Sequence, residues 1–493
     1  MKRRPVWIVC LAAALVCSVI VFRRMDTMKF NGLRVLTPER LEQMTEHLDR
    51  MNAPESAAQL ITLDGAAIPY DVQSNTFYVS QSAEKENYAG VFAAAGENCS
   101  VYIQEDSTLY DKRTAMAQGH RFHLWFVTRE TYSVSDLIFT GLPVISISSD
   151  RGRLSAQYEQ GNIIVQNPND HDVITMSIKV SDMKVKTNYN TGTISCKLYK
   201  KGYQAERNLQ LLGLGKRTSW KLYPVYAGDD ALMRELLAAY VWNCVCGNEK
   251  MQRNMEYAEV IIDGQYRGLY YLAPKVGKGY LELSEADRVY KFEGQAEDQT
   301  ASYETVGDPD TEQNRVACRL YESLWEEEGR NLSAVTVENM IDYHIWMQTV
   351  CGVRNGTEDY YLIAYRDGDG YEFNRMPDRS KYVFGTYPAS IGWRSLQAAE
   401  SVMEDEACVK MAKVQGASFS QAMADRWTKM RDSGLDTEMM LRYANQCEKK
   451  LKESGYITRQ GDQEEYDAAC LALLHFIRQR MEYLDGYFKQ DAK

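Results

Sequence analysis

Three polar side chains in one short stretch are of the types that phosphoryl transfer and metal binding use. They are Asn355, Asp359 and Asp378, within GVRNGTEDYYLIAYRDGDGYEFNRMPDRSKYVFG (352–385). Phosphoryl transfer asks a protein for positioning and electrostatics: acidic or amide groups to hold a metal and aim a nucleophile, and cations to meet phosphate. The stretch reads as a helix end, an acidic turn, a strand, an Asp-Gly-Asp-Gly turn, a second strand and a loop closing on Phe384-Gly385. Asp-Gly between apolar runs is a strong hairpin signal. Such a hairpin puts all three side chains at strand ends, where they can converge on one pocket. The same carboxylates would equally keep an ordinary hairpin in solution, so the rest of the chain must decide.

The elements that position these residues follow from pattern. Val337–Gly352 reads as an amphipathic helix leading into the stretch. Upstream, Leu142–Asp150, Ile163–Gln166, Val173–Val185 and Thr193–Tyr199 read as strands. Asp229 and Asp230 stand where an N-cap belongs, ahead of a helix over Ala231–Asn243. Val260–Leu272 is an apolar run, an Asp263-Gly264 turn and an aromatic run, hence another hairpin. Gly213 and Gly215 lack the spacing of a phosphate loop and read as a turn between strands. In the last helix Tyr466, Cys470, Leu473, Leu474, Ile477, Met481, Leu484 and Phe488 form one apolar stripe. Arg478, Gln479, Arg480 and Glu482 fall on its solvated face. Residues 292–330, rich in Glu and Gln, read as an exposed insertion or linker.

A chain of 493 residues exceeds the size at which one core stops growing, so two domains or more are expected. A 45% hydrophobic and 25% charged composition is that of a globular protein. The net charge of -11 argues against nucleic acid as a partner, which would call for a basic face. Residues 28–140 look like a small β-rich module: Thr76–Ser80, Ser100–Gln104 and Phe122–Val127 are short strand-like runs between turn residues. Within it a helix is expected over Pro38–Met51, with Leu41, Met44, Leu48 and Met51 on one face.

The N-terminus carries an address. Lys2, Arg3 and Arg4 precede the uncharged run Val6–Phe22, which Arg23-Arg24 end. At helical rise this run spans roughly 25 Å, the short end for a membrane helix. The expectation is a signal-anchor in 1–27, retained in preference to a cleaved signal peptide, a single pass of the cell membrane with the bulk of the chain extracytoplasmic. Of eleven cysteines, nine lie outside that run with no disulfide-framework spacing, and most read as small buried hydrophobes. Six histidines show no metal-ligand spacing; His344 reads as a satisfied helix residue.

The order of segments resembles the CotH family of spore-coat, kinase-like proteins over most of 142–490. The resemblance rests on LPVISI (142–147), LLGLGKRTSWKLYPVYAGDDALMRELLA (211–238), DGQYRGLYYL (263–272), EDYYLIAYRDGDGYEF (358–373) with the Pro377-Asp378…Phe384-Gly385 loop, and FIRQRMEYLDGYF (476–488). It implies an atypical protein-kinase-like fold that transfers phosphate from ATP to protein serines. Together these readings give an α+β architecture: the membrane segment over 1–27, the β-rich module over 28–140 and a CotH-like, kinase-like domain over 141–490.

Transferred residue by residue, the resemblance gives Lys186, Asn188 and Lys291 as nucleotide-binding candidates. Asn355 and Asp359 become the catalytic candidates, and Asp359 with Asp378 the metal ligands, for Mg²⁺ or Mn²⁺ with ATP. The chain departs from the family at several of these places. Asn355 and Asp359 stand in exchanged order, Pro274 stands where the family has an acidic residue, and Arg379 and Lys381 fall where it has metal-binding carboxylates. A one-residue shift lets Asp378 take that role. Two functions follow: a degenerate kinase-like scaffold or pseudokinase of the envelope or spore coat, binding a coat or envelope protein, or an active kinase acting on such proteins.

Overall fold

The structure, a computed structural model, describes residues 28–52, 60–96, 98–168, 177–188, 190–293, 302–309, 311–324, 334–386 and 399–490. It is an α+β chain, with strands concentrated before residue 306 and helices after it. Among the described residues no helix is long and apolar enough to cross a membrane. That overturns the expected single-pass membrane placement; the run Val6–Phe22 on which it rested lies outside the described residues.

The N-terminal part is built on a mixed sheet whose middle strands are Ser100–Gln104, Arg121–Val127, Thr131–Thr140 and Thr76–Ser80. A three-stranded sheet, Ala66–Ala67, Ile61–Leu63 and Phe92–Ala94, shares its core, in which Ile61, Phe77, Leu124, Leu137 and Phe139 are buried. The helix expected over 38–51 stops at Thr45. Asp49–Arg50 pairs instead with Thr131–Tyr132, so sheet pairing takes the segment that the apolar spacing assigned to a helix, and Met51 is exposed.

Seven strands then close a barrel: β1 (Val144–Ser149), β2 (Glu159–Gln166), β3 (Ser177–Thr187), β4 (Ile194–Leu198), β5 (Ser219–Pro224), β6 (Glu256–Ile262) and β7 (Gln265–Pro274). Their order is β1-β2-β3-β4-β5-β7-β6, and β6 closes on β1 as the one parallel pair. Alternation decides what faces in. Met183 and Val185 of β3, Ile194 and Cys196 of β4, and Trp220 and Leu222 of β5 fill the barrel, so the residues between them point out. The β6–β7 turn has Asp263 and Gly264 both at positive φ (47° and 72°), which the two-residue hairpin turn requires. Gly213 and Gly215 lie in a turn joining two short strands, Leu209–Gln210 and Lys216–Arg217.

Outside the barrel stands a four-stranded antiparallel sheet, β8 (Arg288–Glu293), β9 (Ser302–Thr305), β10 (Tyr360–Asp367) and β11 (Gly370–Pro377), in the order β9-β8-β10-β11. Around it pack α1 (Arg234–Val245), α2 (Glu312–Ser323), α3 (Val337–Val350), α4 (Glu406–Gln415), α5 (Ala417–Ser433), α6 (Thr437–Glu453) and α7 (Gln463–Gln490). They share the largest core, with Trp242 and Trp346 in edge contact at its centre.

Four local features differ from the sequence reading. α1 starts three residues late because Leu232 takes a left-handed φ of 57°. Asp229 still receives the Arg234 amide, at 2.8 Å. α3 is buried along its whole length from Met340 to Val350 rather than on one face. In the supposed linker, β9 pairs with β8, and α2 buries Ala317, Cys318 and Tyr321. The α7 stripe packs inward as expected, but Arg480 is fully buried. Its Nε donates to the Gln348 carbonyl at 2.7 Å and its Nη1 to the Ala399 carbonyl at 2.7 Å and to that of Ser401, tying α7 to the end of α3.

Candidate functional site

A cavity of about 430 Å³ opens between the outer face of the barrel and the β8–β11 sheet. Its walls carry five cationic side chains, Lys186, Lys221, Lys275, Lys291 and Arg379, and one carboxylate, Glu304. Strand register explains the barrel side. Lys186 of β3 pairs across to Ser195 of β4, and Ser195 pairs to Lys221 of β5. Directly opposite residues share a face, so both lysines stand out of the barrel in one row. Lys275, just past β7, is anchored by its amide to the Ser219 carbonyl. Burial lowers the Lys275 pKa, and neighbouring Lys221 and Lys186 lower it further.

The opposite wall belongs to the sheet. Lys291 of β8 pairs across to Glu304 and Tyr361, and its Nζ lies 3.0 Å from Asp378 Oδ2. Asp378 follows β11 directly and is buried. Burial alone would raise its carboxyl; Lys291, Lys221 and Arg253 reverse that and hold it far below the usual carboxylate range. Arg253 donates to the Asp378 carbonyl at 3.1 Å and stands 3.8 Å from Oδ1, an oxygen with no hydrogen-bond partner among the described residues.

Asp359 precedes β10 at a left-handed φ of 58°. Three main-chain contacts hold it there. Its amide donates to the Phe292 carbonyl, and its carbonyl accepts the Asp378 amide at 2.9 Å and Asn355 Nδ2 at 3.2 Å. A non-glycine residue persists in this region only when its surroundings fix it so. Burial, with a smaller push from Asp378, raises its carboxyl to about 6 against the pull of Arg354, Lys381 and Lys291.

The next residue along from Asp378 is the least expected. Arg379 is buried, with Nε and Nη2 donating to Glu235 Oε1 and Oε2 at 3.0 and 2.9 Å. Nη2 also donates to the Pro224 carbonyl at 3.0 Å. Among the described residues its Nη1 has no partner, and neither has the hydroxyl of buried Tyr223, whose ring lies 4.9 Å from the guanidinium carbon. Lys381 is half-buried, its pKa lowered by burial and by Arg379.

Of the residues singled out from sequence, Lys186, Asn188 and Lys291 line the one cavity, and Asp378 stands behind Lys291. Asn188 Oδ1 accepts the amides of Asn190 and Thr191, so it shapes the turn between β3 and β4. Asn355 spends its amide on the Asp359 carbonyl and accepts from Tyr343 at its own carbonyl. It builds the loop that carries Asp359. Sequence reasoning missed Lys221, Lys275, Tyr223 and Glu235. The alternation in SDMKVKT and SWKLY marks Lys186 and Lys221 as outward, but their adjacency depends on register across two strand pairings.

The lysines suit phosphate. The carboxylates do not suit Mg²⁺ or Mn²⁺, which need oxygen donors carrying unmatched negative charge. Asp378 is already balanced by Lys291 and Arg253, Arg379 follows it, and Asp359 favours its neutral form up to about pH 6. A separate buried trio, His344, Asp405 and Cys408, brings its ligand atoms within 4.8 Å. There Arg375 grips both Asp405 oxygens, at 3.1 and 2.9 Å, and His344 Nδ1 lies 3.3 Å from Asp405. The guanidinium takes the place a metal would need, and His344 is the satisfied residue its helical setting implied. Seven of the nine described cysteines are buried. No protein-family model matches this chain, and no curated protein matches it.

Proposed function

We propose that the chain is a CotH-like, kinase-like protein whose cleft binds the phosphates of a nucleotide such as ATP without transferring them. In that role it serves as a scaffold or binding module for coat or envelope proteins. The observation that carries the reading is the convergence of Lys186, Asn188 and Lys291 on one cavity with Lys221 and Lys275. The first three are the positions to which the segment resemblance gives nucleotide contacts. The cavity falls within the range of small-ligand sites, and its cations suit a polyanion. Against transfer stands the neutralised Asp378: without a metal to balance developing charge, most of the electrostatic catalysis is missing.

One observation favours the active kinase. Asp359, its pKa raised to about 6, would be an ionised, proton-accepting carboxylate at neutral pH, as a general base must be, although it does not line the cavity. Incubating the full chain with ATP, with and without Mg²⁺ or Mn²⁺, separates the two readings. Thermal stabilisation by nucleotide with no phosphate incorporation is the expected result. Incorporation that disappears in Asp359→Asn would turn the reading to an active kinase, and no stabilisation under any condition would end both.

A further inference from the structure

Two buried hydrogen-bond donors in the cleft have no acceptor among the described residues. Arg379, 7% exposed, uses Nε and Nη2 on Glu235 and the Pro224 carbonyl and leaves Nη1 unmatched. Tyr223, 2% exposed, leaves its hydroxyl unmatched, and both residues line the same cavity. An unmatched buried donor costs about 1–3 kcal/mol, and native proteins tolerate few of them. Glu235 grips the guanidinium on two of its nitrogens and so fixes the direction of the third. Beside these donors stand Lys186 and Lys221 in one cross-strand row and Lys275 next to them. That crowding is unfavourable among like charges; Glu304 offsets part of it, and an anion would relieve the rest. Three lysines carry more positive charge than one phosphate would balance, which fits a chain of two or more phosphates.

We infer that the cleft seats a polyphosphate chain without a divalent cation. Arg379 Nη1 and the Tyr223 hydroxyl form its floor, and Lys186, Lys221 and Lys275 balance its charge. The inference rests on the phosphate-binding reading above and sharpens it: the protein's own cations stand in for the metal that its carboxylates do not suit. The chemistry is shared by inorganic polyphosphate and by the triphosphate of a nucleotide.

Calorimetric titration of the full chain with tripolyphosphate and with ATP, each in EDTA and in Mg²⁺, tests it. Binding in EDTA is expected. Tripolyphosphate binding as well as ATP marks a site for the phosphate chain alone, and ATP binding alone in EDTA marks the nucleotide as the source; either supports the inference. Tyr223→Phe, which removes only the hydroxyl, should weaken binding about tenfold with the melting temperature held or raised. Lys275→Ala should weaken it by about as much. Binding of either ligand only with Mg²⁺, or binding untouched by Tyr223→Phe, overturns the inference and leaves the nucleotide reading standing. No binding of either ligand under either condition overturns both.

Discussion

Two buried clusters of charge in this molecule are built from similar parts and end differently. At the junction of the N-terminal sheet, the barrel and the last helices, Glu259 is fully buried. Arg459 Nη2 meets both its oxygens at 2.6 Å, Thr140 donates to one at 2.5 Å, and Tyr266 donates to the other at 2.5 Å. Both carboxylate oxygens are matched, and Tyr78 closes the cluster by stacking on Tyr266. In the cleft, Arg379 puts Nε and Nη2 on one Glu235 oxygen each, yet among the described residues Nη1, the Tyr223 hydroxyl and Asp378 Oδ1 are left over. A saturated buried charge holds elements together. One with donors to spare, beside a cavity, is organised for something else.

That contrast can be broken most forcefully at Glu259. Glu259→Ala strands the Arg459 guanidinium in a dry junction and should cost about 3–5 kcal/mol in urea unfolding. A loss below about 1 kcal/mol would remove the junction as a lock. At Asp378 the two sides of the comparison should move in opposite directions. Asp378→Asn leaves Lys291 and Arg253 less balanced and costs about 2–3 kcal/mol of stability, while polyphosphate binding tightens because Lys291 is released. Weaker binding in this variant would give the carboxylate a role in holding ligand or metal.

The two tyrosines sharpen the contrast with one atom each. Tyr266→Phe removes a donor to a buried carboxylate and should cost about 1.5–2 kcal/mol. Tyr223→Phe removes a hydroxyl with no partner and should stay within about 0.5 kcal/mol of the parent or gain slightly. Equal losses would erase the difference between the clusters.

Asp359 gives a pH signature. Its folded pKa is raised, so the folded state binds a proton more readily than the unfolded one. Stability from this group is therefore present at low pH and declines as pH rises from about 4 to about 6. Asp359→Asn should abolish that decline and stabilise the protein at neutral pH, by up to about 3 kcal/mol for a carboxyl raised to about 6. Unfolding midpoints at pH 5 and pH 7.5 that fall in parallel for both proteins would place the charge elsewhere.

Much of the fold was legible where the signal is local. The hairpin over 360–377 follows from its Asp-Gly-Asp-Gly turn, the β6–β7 hairpin from Asp263-Gly264, and the buried face of α7 from its stripe. What escaped was decided by partners far along the chain. Arg480 sits among polar neighbours in sequence and became the most buried arginine because three carbonyls at the end of α3 and in the 399–401 segment needed a donor. Asp49–Arg50 left its helix because a strand eighty residues on offered it pairing. In the cleft, Lys186 and Lys291 could be named from segment order. Lys221 could not, because its place beside Lys186 exists only in the β3–β4–β5 register. The membrane reading came from the uncharged run Val6–Phe22 and its flanking basic residues, which lie outside the described residues, and among the described residues no helix is long and apolar enough to cross a membrane.

The central claim is that the cleft, unlike the junction, is organised for a phosphate chain. Its most direct test is the melting temperature of the full chain in EDTA with millimolar tripolyphosphate, measured alongside Lys221→Ala and Tyr266→Phe. A rise in the parent and in Tyr266→Phe, absent in Lys221→Ala, is the expected result. An equal rise in all three, or none in the parent, would contradict the claim.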